Sequence, residues 1–440
     1  MKSLTRRHFF HSAGMALTAA QATRVMGAND KVQVGIVGLG GRGTDHIKTY
    51  LTLTDNATIA ALCDVNQAAL ERAQATVERG AQHKPKGYAD LREVFADKNV
   101  DAVSMPLPNH WHALSTIWAC QAGKDVYVEK PACYNIFEGT KMIEAARKYQ
   151  RMVQVGSQGR SSPNRQKATQ LLHEGVIGKV YMARGLCFNR RKSIGHMPDA
   201  PVPAGLDWDK FLGPAPMRPY NELRFKYNWH WFWDTGNGDI GNQGAHQLDI
   251  AHWGFGRPGL PKAVFSTGGK YAYVDDQETP NTQIATYDYG DSEMVFEVRG
   301  ILTGSEGNLS TSNASRTVGD LFYGSDGWMA MSQSSFQVYK GEKGEKIMDE
   351  ASEGRGDGGN SPHFLNFLKA VRSRNYKDLN ADVEIGVAAA DLAHLANISY
   401  RLGRKLTFDP KTLTFPGDAE ANRMLTRPQY RAPYIVPDKV

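Results

Sequence analysis

The chain reads as a doubly wound α/β domain with a parallel sheet, followed by an α/β domain built on a large, open, predominantly antiparallel sheet. Three observations point there. Short apolar runs alternate with helical stretches from Lys31 to Val155, a glycine-rich turn directly follows the first run, and after residue 178 the pattern changes to period-two alternation.

VQVGIV at 32–37 is the first apolar run and TIAALC at 58–63 the second. VDAVSM at 100–105, DVYV at 125–128 and MVQV at 152–155 follow. Helical stretches at 67–79, 111–122 and 136–149 lie between them. Gly123 is placed to stop the second of these helices, and Asp90 with Glu93 three residues on gives a capping-box start to a short one. Parallel strands joined by helices follow from this order.

Between 264 and 340, TQIATYDYG, SEMVFEVRG and GWMAMSQSSFQVY alternate with aromatic and β-branched residues. That pattern predicts antiparallel strands with one solvated face. The other face needs cover, for which 244–253, 362–372 and 383–402 are the helical candidates. Segments 304–316 and 351–360 read as loops. The expected organisation is a leader and linker at 1–30, a nucleotide-binding domain at 31–155 and a substrate and oligomerisation domain at 156–440.

Composition narrows the function classes. The chain has 440 residues, 41% hydrophobic and 22% charged, which fits a globular protein with a sizeable core. No run of 18 apolar residues is present, so no membrane span is expected. The net charge of +6 includes Lys2, Arg6 and Arg7 of the leader, and no basic run follows, which argues against a nucleic-acid partner. The four cysteines, Cys63, Cys120, Cys133 and Cys187, form no C-x-x-C pair.

At the N-terminus, LTRRHFFH carries twin arginines, Arg6 and Arg7, before a weakly apolar stretch from Ala13 to Ala22 that ends in Ala20-Gln21-Ala22. This resembles a twin-arginine export signal and predicts a periplasmic or otherwise exported protein. That route carries folded proteins, often with a cofactor already inside.

Gly38-Leu39-Gly40-Gly41-Arg42-Gly43 fits G-x-G-x-x-G, follows a strand and opens a helix. Gly38 permits the tight turn, Gly40 and Gly41 let backbone approach a pyrophosphate, and Gly43 lets helix and strand pack closely. Asp64 ends the next strand, placed to accept hydrogen bonds from the adenosine ribose. Its carboxylate repels a 2′-phosphate, so NAD is expected over NADP, with Arg42 weakening the preference.

Two further motifs lie at strand carboxyl ends, where open α/β sheets bind ligands. Glu129-Lys130-Pro131 follows DVYV and puts a lysine near the cofactor crevice. PLPNHWHA at 106–113 follows VDAVSM, so Pro108, Asn109 and His112 are expected on the nicotinamide side. His110 and His112 lack a nearby carboxylate or cysteine partner, so no metal is expected.

The last motif is WHWFWDTGNGDIGNQGAHQLDIAHWGFG, residues 229–256. His246, Asp249 and Trp253 share one helical face. Asp249 is a candidate to orient an imidazole one turn away. Trp229, Trp231, Phe232 and Trp233 are candidates for a sugar-stacking wall.

These motifs in this order resemble the Gfo/Idh/MocA family, the glucose–fructose oxidoreductase and inositol dehydrogenase relatives. The resemblance extends over nearly all of 31–440, including HFLNFLKAVRSR, HLANISYRLGR and the tail GDAEANRMLTRPQYRAPYIVP. It implies a Rossmann domain with NAD(P) at the glycine loop, an α/β domain behind it, and substrate-proton handling by Lys130 and His246. Dehydrogenase members have an aspartate four residues before that histidine. Asn242 stands there instead, and an amide cannot relay a proton as a carboxylate can.

The leading expectation is therefore a nicotinamide-dependent oxidoreductase acting on a sugar or sugar derivative, with a tightly held cofactor. A second is an NAD-dependent glycosidase working by transient oxidation, elimination and re-reduction. The Tyr-x-x-His arrangement associated with that branch is absent, since Gln243 stands three residues before His246. A third is a non-catalytic sugar-binding protein, for which Asn242 is the support. The alternating sheet face suggests a homo-oligomer, dimer or tetramer.

Overall fold

The computed structural model describes residues 31–307, 309, 316–351 and 360–440. The expected leader and linker at 1–30 lie outside the described residues, as do 308, 310–315 and 352–359 of the two expected loops.

The first sheet contains β1 (Val32–Val37), β2 (Ala57–Cys63), β3 (Lys86–Tyr88), β4 (Ala102–Met105), β5 (Asp125–Val128) and β6 (Val153–Val155), all parallel, in the order β3-β2-β1-β4-β5-β6. Helices α1 (Gly41–Thr52), α2 (Gln67–Ala81), α3 (Leu91–Ala96), α4 (Asn109–Gln121) and α5 (Ile136–Lys148) connect its strands. Every residue of β4 and β5 is buried, as strands covered on both faces require. The caps are local: Asn66 accepts from the backbone of Ala68 and Ala69 to start α2, and Asn135 from Glu138 to start α5. Strand order reverses between β1 and β4, which opens a crevice at their carboxyl ends.

The second part contains α6 (Pro163–His173), β7 (Val180–Asn189), α7 (Trp208–Leu212), α8 (Gly238–Gly241), α9 (Gly244–Phe255), β8 (Ala263–Gly269), β9 (Thr282–Asp288), β10 (Glu293–Arg299), β11 (Arg316–Gly324), β12 (Gly327–Met331), β13 (Ser335–Lys340), β14 (Glu345–Ala351), α10 (Asn360–Ser373), α11 (Val383–Leu402), β15 (Leu406–Thr407) and α12 (Ala419–Arg423). Its nine-stranded sheet runs β14-β13-β12-β11-β7-β10-β9-β8-β15. All pairings are antiparallel except β7 with β10. α9 and α11 lay Leu248, Ala251, Leu392 and Leu395 against Phe296, Phe322 and Met294 of the sheet. On the opposite face Arg184, Glu297, Arg299 and Glu306 form an ion-pair network, while Phe265 and Ile284 stand exposed.

One expected cover helix lies elsewhere. The 362–372 stretch, within α10, packs Phe364, Phe367 and Leu368 against Val32, Val34 and Tyr127 of the parallel sheet, not against the antiparallel one. Val383 and Val387 of α11, with Tyr434 and Val436, join a separate core on the other face of that sheet. The nucleotide-binding domain therefore draws part of its core from residues well beyond 155. Amphipathic period identifies a helix and not the sheet it covers.

Beside the turn after β5, Cys133 Sγ and His394 Nε2 lie 3.5 Å apart, with Asp391 in the same buried group. Burial pushes the Asp391 carboxyl well above its ordinary 3.8, and its Oδ1 has no hydrogen-bond partner. A carboxyl whose folded pKa is raised stabilises the fold fully below the unfolded pKa and loses that contribution as pH rises toward the folded one. Asp391→Asn removes this loss. Its stability relative to wild type is expected to increase from pH ~4 upward by about 1.4 kcal/mol per unit until the folded pKa is reached. Urea midpoints of both proteins across that range check it, and a pH-independent difference would show that Asp391 ionises freely.

Candidate active site

A cavity of about 870 Å³ runs from the carboxyl edge of the parallel sheet to the helix-covered face of the second one. Its first-domain end is built by the glycine turn. Gly38 sits at φ +96°, a conformation that costs other residues strain. A Cβ on Gly43 would overlap the Gly38 carbonyl oxygen, so α1 packs against the turn only with glycine there. Gly40 and Gly41 line the cavity, and a Cβ on either would meet only open space. The start of α1, with no side chain capping it, therefore faces an uncluttered cradle of the kind a pyrophosphate occupies. The chain's residues fit a dinucleotide on this observation.

Asp64 Oδ2 accepts from Leu39 N at 2.6 Å and Oδ1 from Asn66 N at 2.8 Å, which ties the end of β2 to the glycine turn. Burial raises its pKa, opposed by those two bonds and by Arg72. Arg42 does not attend the ribose site. Its Nε donates to Glu129 at 2.8 Å and its Nη2 to Asn360 at 3.0 Å, so it does not weaken the preference for NAD as expected.

Asp64→Ala is expected to raise the Kd for NAD by about 10- to 100-fold, from losing charge-assisted bonds to the ribose. The loss for NADP is smaller, because repulsion of the 2′-phosphate disappears with the carboxylate. Calorimetric titration of both cofactors checks this. Equal losses would place Asp64 away from the ribose.

Glu129 lines the cavity but is fully engaged. Its Oε1 accepts from Arg42, from His46 Nε2 at 3.1 Å and from Gln158 at 3.0 Å, and its Oε2 from the Lys130 backbone. Burial would raise this carboxyl, yet Arg42 and His46 hold it well below the usual range. It is a buried charge anchor at the base of the crevice.

Lys130 points toward the second domain. Its Nζ donates to the Asn242 backbone O at 3.2 Å and to Asn242 Oδ1 at 3.3 Å, and burial lowers its pKa. Asn242 Nδ2 donates in turn to the Tyr227 hydroxyl at 2.8 Å. His246, on the first turn of α9, lines the same cavity with no hydrogen-bond partner on its ring among the described residues. Burial, then the charge of Lys130, holds the imidazole well below 6.5, in its neutral form.

Other expected site residues serve the scaffold. Pro108 lines the cavity, but Asn109 and His112 lie behind its wall. Asn109 donates to Asn237, and His112 bridges the carbonyls of Pro131 and Leu107 at 2.7 Å each. Asp249 does not orient an imidazole: its carboxylate grips Arg160, whose guanidinium lies over the Trp253 ring. Trp231 does not reach the cavity. It is buried beside Arg191, and its carbonyl accepts from Glu278 and Thr279, whereas Trp229 lines the cavity stacked on His230. Tyr227, Gln158 and Arg165 also line the cavity and carry no motif in the sequence.

Residues 32–157 match the Gfo/Idh/MocA model for an NAD-binding Rossmann fold, and 166–279 with 336–436 match the model for the family's C-terminal α/β domain. Inositol 2-dehydrogenase of Salmonella paratyphi B is 31% identical over 159 residues, 36% of this chain and 46% of that protein. A glycosyl hydrolase family 109 protein of a Shewanella species is 26% identical over 207 residues, 41% and 45% of the two chains. The chain thus spans about half the length of the curated relatives it matches. WlbA dehydrogenase of Bordetella pertussis, solved with NADH and UDP-GlcNAcA, shares the fold at a TM-score of 0.63 and 19% identity, over 86% of this chain and 99% of that one. With both domains matched in sequence and fold, the chain belongs to the Gfo/Idh/MocA family of NAD-binding oxidoreductases.

Proposed function

We propose that the protein oxidises a hydroxyl-bearing ring carbon of a sugar or sugar derivative, holding NAD tightly. The observation that carries this reading is that Lys130 and a neutral His246 open on the same cavity as the glycine cradle. NAD bound in that cradle supplies the hydride acceptor. A neutral lysine has two N–H donors and one lone pair. In that form, which burial favours, both donors go to Asn242 and the lone pair is left for the substrate hydroxyl proton. The amide at 242 also suits this role, because a carboxylate there would favour charged lysine and raise its pKa. Glu129, bound by Arg42 and His46, orients the Lys130 backbone without competing for the proton.

One observation favours the elimination reading as a second possibility. The Tyr227 phenol oxygen accepts from Asn242, so its own proton is free to point into the cavity. The tyrosine missing three residues before His246 thus has a counterpart from a distant segment, placed to protonate a leaving group while His246 removes a carbon-bound proton. Turnover in deuterated water separates the two: deuterium at a ring carbon of the product supports elimination, and its absence supports simple oxidation.

A tightly held cofactor also suits the twin-arginine leader, and we propose export of the loaded protein. The exposed Phe265 and Ile284 face is offered as a homo-oligomer contact. Denaturing the purified mature protein and weighing the released dinucleotide by mass spectrometry tests the cofactor claim. About one NAD per chain is expected for a tight complex, and protein free of dinucleotide after purification would refute tight retention.

A further inference from the structure

Resting on the reading of this cavity as a sugar-oxidising site, we propose that its second-domain end is an anion subsite. There Arg165 and Arg316 receive a carboxylate or phosphate carried by the sugar.

Arg165, on α6, is only 6% exposed yet lines the cavity. Its Nε donates to the Ser332 carbonyl at 3.3 Å, while its terminal nitrogens have no hydrogen-bond partner among the described residues. The guanidinium lies against Gly159, where a Cβ would overlap Nη1. Two acids lie near enough to feel its charge, and among the described residues neither forms an ion pair or hydrogen bond with it. Asp249 is held by Arg160, while the Asp320 carboxyl, raised by burial against the pull of Arg165, has both its oxygens without a hydrogen-bond partner. Arg316 stands four residues before Asp320 on β11, hence on the same strand face, exposed and lining the cavity. It too has no side-chain partner among the described residues.

The acids that line the cavity, among the described residues, are Asp64, Asp90 and Glu129. All belong to the first domain, and Glu129 is closed by Arg42 and His46. The second-domain end therefore presents two guanidinium groups and the amides of Gln333 and Gln247 with no lining carboxylate. A nearly buried cation with no direct ion-pair partner is costly, and an arriving anion that bonds it lowers that cost. A neutral sugar would leave the cation dry and unpaired. The planar fork of arginine matches the two oxygens of a carboxylate or phosphate.

The test is calorimetric titration of the purified holoprotein with methyl glucoside, methyl glucuronide and glucose 6-phosphate. One of the two anions is expected to bind about 30-fold more tightly than the neutral sugar, and which one does so separates carboxylate from phosphate. Arg165→Gln and Arg316→Gln should each erode that preference without weakening methyl glucoside. Arg316 is exposed, so its variant remains informative if Arg165→Gln fails to fold, and Arg165→Lys should keep part of the preference by keeping the charge. Equal affinity for all three sugars, no binding of either anion, or a preference untouched in both glutamine variants would overturn the subsite. Anion binding without reduction of the bound cofactor would uphold the subsite and count instead against oxidation.

Discussion

Lys130→Met is expected to lower kcat by ~10²- to 10⁴-fold while the dinucleotide stays bound, because a positioned base contributes a factor of that size. Methionine keeps most of the stem's volume and loses the lone pair. The cradle formed by Gly38 to Gly43 and Asp64 does not touch the Nζ, whose partners are the two oxygens of Asn242. The loss should therefore fall on kcat and not on retention of NAD. Steady-state kinetics on the best sugar found, with dinucleotide content measured on the same preparation, check both halves. A variant with near-wild-type turnover would show that the proton leaves by another route.

Gly43→Ala is expected to do the opposite, costing cofactor before chemistry. The added Cβ meets a backbone carbonyl, Gly38 O, which cannot rotate aside as a side chain could. Either α1 or the glycine turn must move, and overpacking of this kind costs about 1–3 kcal/mol. That cost falls on the surface meant to receive the pyrophosphate, so NAD affinity should drop by about 10- to 100-fold. Fluorescence or calorimetric titration with NAD reads it. Unchanged affinity would mean that the turn accommodates a methyl group and that the tight packing is incidental.

The parts of the fold written locally were legible in the sequence. The glycine turn was, because a positive φ at Gly38 and a contact at Gly43 that tolerates no Cβ leave no substitute for glycine at those positions. Asn66 and Asn135 cap helices that alternation alone had located. β3 escaped notice because Lys86–Tyr88 is too short to carry a period. What the sequence hid was tertiary. Asp249 and Trp253 share a face as periodicity requires, but their partner Arg160 is 89 residues from Asp249, and it turns a candidate to orient an imidazole into a structural anchor. Trp231 and Trp229 are indistinguishable by type, and only the packing of the loop turns one inward and the other to the cavity. Tyr227 reaches Asn242 across 15 residues with no pattern in between.

The departure at Asn242 changes meaning for the same reason. In the sequence it reads as a missing relay. In three dimensions its backbone and side-chain oxygens both accept from the Lys130 Nζ, and its amide nitrogen sets the Tyr227 hydroxyl. The group that a carboxylate would serve by charge is here served by geometry.

The central claim is that a sugar reduces a nicotinamide the protein already holds. The purified mature protein, with no dinucleotide added, is mixed with candidate sugars and its near-ultraviolet absorption is followed. The account predicts that the band of reduced nicotinamide grows in on adding the right sugar, up to the amount of cofactor bound, and fails to grow in Lys130→Met. A preparation shown to contain NAD that stays oxidised with every sugar bound at the site would contradict it.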